Sequence, residues 1–170
     1  MAAAAVILIG MSSCKKNENN TETQNQPVIE NPSDPKEVDE AVAEYLDQLS
    51  PVDSTAKRTR TLTTTPTGLK YRVVKEGTGK QPTADDEVEV NYEGRLLSGE
   101  VFDSSYERGE PAKFPLKGVI PGWTEGLQYM KEGAVYEFYI PYDIAYGPQG
   151  RGEIPPKADL LFKVELIKVN

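Results

Sequence analysis

Residues 86–105 read D-E-V-E-V-N-Y-E-G-R-L-L-S-G-E-V-F-D-S-S, and the fold of the chain turns on this stretch. Val88, Val90 and Tyr92 alternate with Glu89, Asn91 and Glu93, the period-two pattern of a strand with one buried face. A glycine-marked turn follows, and a second short strand ends by delivering Phe102 and Asp103 side by side. Tyr92 therefore points inward, and Tyr92, Phe102 and Asp103 are expected to form one wall of a small apolar pocket.

The flanking segments supply the floor and the rim. Upstream, from residue 67, Leu69, Tyr71 and Val73 alternate with Lys70 and Arg72 as another strand. Downstream, residues 106–111 read as a polar loop, residues 114–116 as a short apolar strand, and V-I-P-G at 119–122 leads into Trp123. Trp123, Leu127 and Met130 stand at i, i+4 and i+7, which predicts one short helix stopped by Gly133. Tyr136, Phe138 and Ile140 share one side of a strand over 135–140, and Phe162, Val164 and Leu166 share one side of a closing strand over 160–169. Between them, residues 145–156 form a glycine- and proline-rich loop. Strands, one helix and a last strand, without β-α-β alternation, imply an α+β domain over 67–170: an antiparallel sheet folded over one helix.

The first 66 residues are of another kind. Residues 1–14 are an apolar run followed by M-S-S-C, too short to span a bilayer and suited to a signal segment. That tetrapeptide resembles a bacterial lipobox, which implies a lipid on Cys14 and a membrane anchor, although Met11 stands where Leu is commonest and no Lys or Arg precedes the run. Residues 15–33 are polar and without period, as in a disordered tether, and residues 51–66 form a second linker. Within 34–50, Val38, Ala41, Val42, Tyr45, Leu46 and Leu49 fall on one helical face. So short a helix needs a packing partner, either its own domain or the same helix of a second copy in a homodimer.

Composition narrows the function. The net charge of −8, with no basic cluster, argues against nucleic acid as a partner. The chain has no histidine and a single cysteine, so a zinc site, a histidine-based triad or an internal disulfide is excluded, and neither metal nor cofactor is implied. Chemistry must then come from carboxylates, tyrosines or the shape of an apolar site.

From residue 67 onward the chain resembles the FKBP-type peptidyl-prolyl cis-trans isomerases. The motifs V-x-Y-x-G-x-L at 90–96, F-D-S-S at 102–105, V-I-P-G-W at 119–123, E-G-L at 125–127, A-Y-G at 145–147, I-P-P at 154–156 and L-x-F-x-V-E-L at 160–166 follow in the family's order. The resemblance implies a strongly bent antiparallel sheet wrapped around a short helix. It also implies a pocket in which Asp103, Tyr146, Phe102, Tyr92 and Phe162 act on the substrate, Val119, Ile120, Trp123 and Ile154 bind it, and Arg108 pairs with the aspartate. Ala112, Arg151 and Glu153 depart from residues found in some members, so a more open pocket with a more polar rim is expected. The implied partners are proline-containing unfolded or nascent polypeptides, and the implied location is the bacterial cell envelope. A chaperone or peptide-binding module of the same fold, and a structural surface lipoprotein, are the alternatives.

Overall fold

The computed structural model describes residues 35–49 and 61–170. The signal segment, Cys14, the tether over 15–33 and most of the linker over 51–66 lie outside the described residues. Strands β1 (Thr63–Thr64), β2 (Lys70–Lys75), β3 (Glu87–Leu96), β4 (Val101–Ser104), β5 (Ala112–Pro115), β6 (Val135–Ile140) and β7 (Leu160–Val169) form one antiparallel sheet. Its order is β1-β2-β6-β7-β3-β4, with β5 added to β3. The expected α+β architecture is therefore present. The sheet starts at Thr63, within the segment expected as linker, because β1 pairs with Tyr71 and Lys70 of β2.

One face of the sheet carries the main core. Leu69, Val88, Val90, Tyr92, Phe138, Ile140, Phe162, Val164 and Leu166 are buried there, as the alternation demands. Against them lies α3 (Pro121–Leu127), opened by a proline in its first turn. Its glycines permit a close approach: a Cβ on Gly122 would stand 2.4 Å from Ile140, and one on Gly126 would stand 2.7 Å from Phe138. This brings Trp123 down onto the strands. The helix is shorter than its pattern suggested. It ends at Leu127, where i→i−3 bonds from Gln128, Tyr129 and Met130 tighten the last turn, and Gly133 serves instead in the turn before β6. Met130 is still fully buried.

Two further segments differ from expectation. The first part of the 106–111 loop is the single helical turn α2 (Ser105–Arg108), because Ser104 caps it by accepting a hydrogen bond from the Glu107 N–H at 3.3 Å. The strand expected over 114–116 is Ala112–Pro115, and Leu116 already begins a 3-10 turn.

The opposite face of the sheet is covered by α1 (Pro35–Leu49). Val42, Tyr45, Leu46 and Leu49 pack with Tyr139 and Leu161, which point outward from β6 and β7. Asp39 pairs with Lys70 at 2.5 Å and Asp47 with Arg72 at 2.6 Å. The packing partner of the helix is thus its own domain. The stripe that the homodimer would use is taken up by this packing, with Val38 at its partly buried edge. Among the described residues no helix is long and apolar enough to cross a membrane.

Candidate functional site

Between α3, the inner face of the sheet and the loop over 145–156 lies a cavity of about 220 Å³. Tyr92, Phe102, Asp103, Phe114, Gly118, Val119, Ile120, Trp123, Tyr146, Arg151 and Phe162 line it. Trp123 forms the floor and is ringed by aromatic edges. Its centroid lies 5.1 Å from that of Tyr92 with the planes at 89°, 5.3 Å from Phe162 at 79° and 5.6 Å from Phe114 at 90°. Phe102 meets Phe162 edge to face at 5.6 Å. Edge-to-face contacts of this kind are the favoured geometry of aromatic pairs, so the box holds its shape without a ligand. The indole Nε1 is buried with no hydrogen-bond partner, and ring packing alone positions Trp123.

The wall read from residues 86–105 stands as the alternation requires. Gly94 of β3 is paired with Asp103 on one side and Phe162 on the other. A Cβ at Gly94 would come within 2.6 Å of Phe102 and 2.7 Å of Phe162, so only glycine leaves room for both rings. Ser105, fully buried, accepts a hydrogen bond from the Tyr92 N–H at 2.8 Å and fixes the backbone beneath the tyrosine. The Tyr92 hydroxyl donates to Asp103 Oδ2. The α2 turn carries Arg108 back over this pair, where Nη1 donates to Asp103 Oδ1 and Nη2 to the Tyr92 hydroxyl at 2.9 Å. The guanidinium carbon also lies 5.4 Å from the Tyr92 ring centroid. Burial, then the bond to Asp103, pushes the Tyr92 hydroxyl up to about 12, against an opposing pull from Arg108.

Both oxygens of Asp103 are occupied, and the residue that shares them is not at the cavity surface. Arg108 lines no part of the cavity; it stands behind the wall and braces it. Ile154 is likewise absent from the main cavity and lines an adjoining one of about 290 Å³, together with Phe102, Asp103, Tyr146, Arg151, Gly152 and Glu153. The rest of the expected set, Tyr92, Phe102, Asp103, Val119, Ile120, Trp123, Tyr146 and Phe162, converges on the main cavity. Sequence reasoning missed Phe114 and the space-making role of Gly94. For Phe114 a signal existed, because Ala112 and Phe114 alternate with Lys113 and Pro115.

Two hydrogen-bond donors remain free at the mouth. The Tyr146 hydroxyl has no partner among the described residues, and none of the turn and cap hydrogen bonds uses the Ile120 N–H. Burial raises the Tyr146 pKa, with Arg151 pulling it down and Asp103 up, so the hydroxyl keeps its proton at neutral pH. An aromatic floor, a braced wall and free donors at the rim describe a site that can desolvate a ring and hold a carbonyl.

The profile for FKBP-type peptidyl-prolyl cis-trans isomerases matches residues 78–167, more than half of the chain. The chain belongs to this family. It is 59% identical over 104 residues to the peptidyl-prolyl cis-trans isomerase Mip of Coxiella burnetii, covering 61% of this chain and 45% of that protein. It is 47% identical over 106 residues to the outer membrane protein MIP of Legionella longbeachae, covering 62% and 46%. The chain therefore spans about half the length of these curated relatives. The crystal structure of a peptidyl-prolyl cis-trans isomerase from Pseudomonas syringae pv. tomato aligns with a TM-score of 0.62 at 35% identity, covering 82% of this chain and 98% of that one.

Proposed function

We infer that this chain is a peptidyl-prolyl cis-trans isomerase acting on proline-containing unfolded or nascent polypeptides. The observation that carries the reading is the Trp123-floored aromatic cavity, with Asp103 held by its neighbours and the Tyr146 hydroxyl free at the rim. Rotation about an Xaa-Pro bond breaks no bond, yet amide resonance holds its barrier near ~20 kcal/mol. A thousandfold acceleration asks for only about 4 kcal/mol, within reach of a site without nucleophile, base or metal.

The planar imide is the more polar, better hydrated state. A cavity that strips water from it and grips the proline ring favours the twisted form. Trp123, Phe162, Phe114, Phe102, Val119 and Ile120 supply that surface. Tyr146 and the Ile120 N–H hold substrate carbonyls and set the register. Asp103 orients Tyr92, and its charge supports the field at the wall, with each of its oxygens accepting one hydrogen bond from a neighbouring side chain. Magnetisation exchange on Xaa-Pro peptides tests the reading. The wild-type protein is expected to accelerate exchange, and both Phe102→Ala and Asp103→Ala to slow it. If the wild-type protein accelerates no Xaa-Pro peptide, the isomerase reading is lost.

We place the protein in the bacterial cell envelope, held by a lipid on Cys14. The lipobox-like M-S-S-C and the name of the Legionella longbeachae relative support this reading. Cys14→Ser is expected to move the protein from the detergent phase to the aqueous phase. Unchanged partitioning would remove the anchor.

A further inference from the structure

Tyr146, the free donor at the mouth, stands between two 3-10 turns, Tyr142–Ile144 and Gly147–Gln149. Neither turn is capped by the side chain of the residue before it. What holds the first turn comes from elsewhere in the chain. The Tyr142 N–H donates to Asp159 Oδ1 at 2.8 Å, and the Tyr139 hydroxyl donates to Oδ2 of the same carboxylate at 2.6 Å. Tyr139 is a fixed point: its ring is buried under α1 with Tyr45, Leu46 and Leu49. Burial, then the bond to Asp159, raises the Tyr139 pKa, so the phenol remains a donor at neutral pH. Asp159 thus bridges a buried tyrosine of the sheet to the backbone of the turn, and only residues 143–145 separate that grip from Tyr146.

The far side of Tyr146 is tied to the same short segment. The Gly147 carbonyl accepts a hydrogen bond from the Lys157 N–H at 3.3 Å. Lys157 has φ 56°, the one positive φ outside glycine among the described residues. Such a backbone disfavours a residue with a side chain and persists where its surroundings hold it. Residues 157 and 159 therefore clasp residues 147 and 142, with Tyr146 between them. Asp159 itself lines neither the main cavity nor the adjoining one, so it reaches a ligand only through what it holds. A hydroxyl displaced by about 1 Å loses its hydrogen bond to a carbonyl.

We propose that Asp159 is a positioning residue for the substrate site: through the Tyr142 N–H it fixes the turn that presents the Tyr146 hydroxyl to a substrate carbonyl. The proposal rests on the isomerase reading for the role of Tyr146. Because Tyr146 holds that carbonyl both before and during rotation, loss of Asp159 falls on KM and leaves kcat nearly unchanged.

The test titrates an uncharged Xaa-Pro peptide into the full chain by NMR, so that affinity is read separately from exchange rate. Asp159→Ala is expected to weaken binding about fivefold, the worth of one hydrogen bond. Asp159→Asn should restore most of the affinity, since its amide oxygen can accept from the Tyr142 N–H while its nitrogen donates to the Tyr139 oxygen. Tyr146→Phe should weaken binding by a similar factor, and Asp159→Ala added to it should cost nothing more. Should Asp159→Ala alone fail to fold, pairing it with Tyr139→Phe removes the orphaned buried hydroxyl and carries the same expectation. Unchanged affinity in Asp159→Ala, no rescue by Asp159→Asn, or a full further loss in the Tyr146→Phe background overturns the proposal and leaves Asp159 a turn cap. Coupling of Asp159 to Tyr146 in affinity without any acceleration of exchange sinks the isomerase reading and leaves the positioning role standing. A wild-type protein that binds no such peptide removes both.

Discussion

The two faces of the sheet are built from the same strands and solve burial in opposite ways. On the inner face, Tyr92, Phe138 and Phe162 bury apolar rings, and the space left between them is a cavity open at one end. On the outer face, Arg72 and Glu137 are as deeply buried, at 2% and 0% exposure, beneath α1. There the charges pair with one another: Arg72 Nε and Nη2 donate to Glu137 Oε2 at 2.8 and 2.5 Å, and Nη1 donates to Asp47 at 2.6 Å, while Glu137 Oε1 is buried without a hydrogen-bond partner among the described residues. Burial by itself would lower the Arg72 pKa, but Glu137 and Asp47 outweigh it and the net shift is upward. The inner face excludes water so that a ligand can take its place, while the outer face excludes water only because α1 closes it. The proposed function sits on the first and cohesion between helix and domain on the second.

The strongest way to break this comparison is to remove one partner of the buried pair. Arg72→Met leaves Glu137 fully buried without its partner, which is expected to cost about 3–5 kcal/mol in denaturant unfolding. Adding Glu137→Leu should restore most of the loss, because an apolar pair of similar volume carries no desolvation penalty. Specific activity per folded molecule should hardly change, since neither residue lines the cavity. An undiminished stability in Arg72→Met would mean that the outer face is not closed as described.

Next in size is the seal itself. Leu46, fully buried at the centre of the helix stripe, is expected to lose about 2 kcal/mol as Leu46→Ala, at the low end for a buried leucine because α1 can undock locally instead. Amide exchange should quicken in α1 and around Tyr139 and Leu161, and not around Trp123. Faster exchange around Trp123 as well would show that the two faces are coupled.

This contrast also marks what could be read from residues alone. Alternation within 86–105 was enough to aim Tyr92 inward and set Phe102 beside Asp103, because strand period and turn position are local properties. The outer face was not legible in the same way. Arg72 and Glu137 occupy the polar phase of their strands, and nothing nearby says that a helix tens of residues away will cover them. The competing destinations of the 34–50 stripe were equal on pattern and were separated only by the shape and charge of the sheet, through Lys70, Arg72, Tyr139 and Leu161. At the site, convergence of Trp123, Tyr146 and Phe162 from distant segments followed from the resemblance, not from periodicity. The early end of α3 after Leu127 depended on turn hydrogen bonds that an i, i+4, i+7 pattern does not encode.

On the inner face, Tyr92→Phe removes one hydroxyl from the braced wall. Asp103 keeps Arg108, so the expected loss is about 1 kcal/mol of stability, with a few-fold fall in kcat/KM. A loss of activity as large as that of Phe102→Ala would mean that the hydroxyl acts on the substrate and not on the wall.

The smallest expected effect is that of pH on rate, and its flatness is informative. The chain has no histidine, and the two tyrosines that line the cavity are held in their protonated form by burial. The ratio kcat/KM on an uncharged Xaa-Pro peptide should therefore stay level between about pH 6 and 9, where unperturbed histidine and cysteine would titrate. A bell-shaped profile would bring proton transfer back into the mechanism. Stability behaves differently at high pH. The folded-state value for Tyr92, about 12, lies above its ordinary 10.0, so the fold favours the protonated phenol. That contribution is complete below pH 10 and is lost as pH rises through 12. Other buried tyrosines erode over the same range, so the wild-type curve alone does not isolate Tyr92. The difference in unfolding free energy between wild type and Tyr92→Phe does: it should be constant up to about pH 10 and shrink beyond it. A constant gap through pH 12 would mean that the Tyr92 hydroxyl is not buried against Asp103, and the wall on which the inner face depends would have to be redrawn.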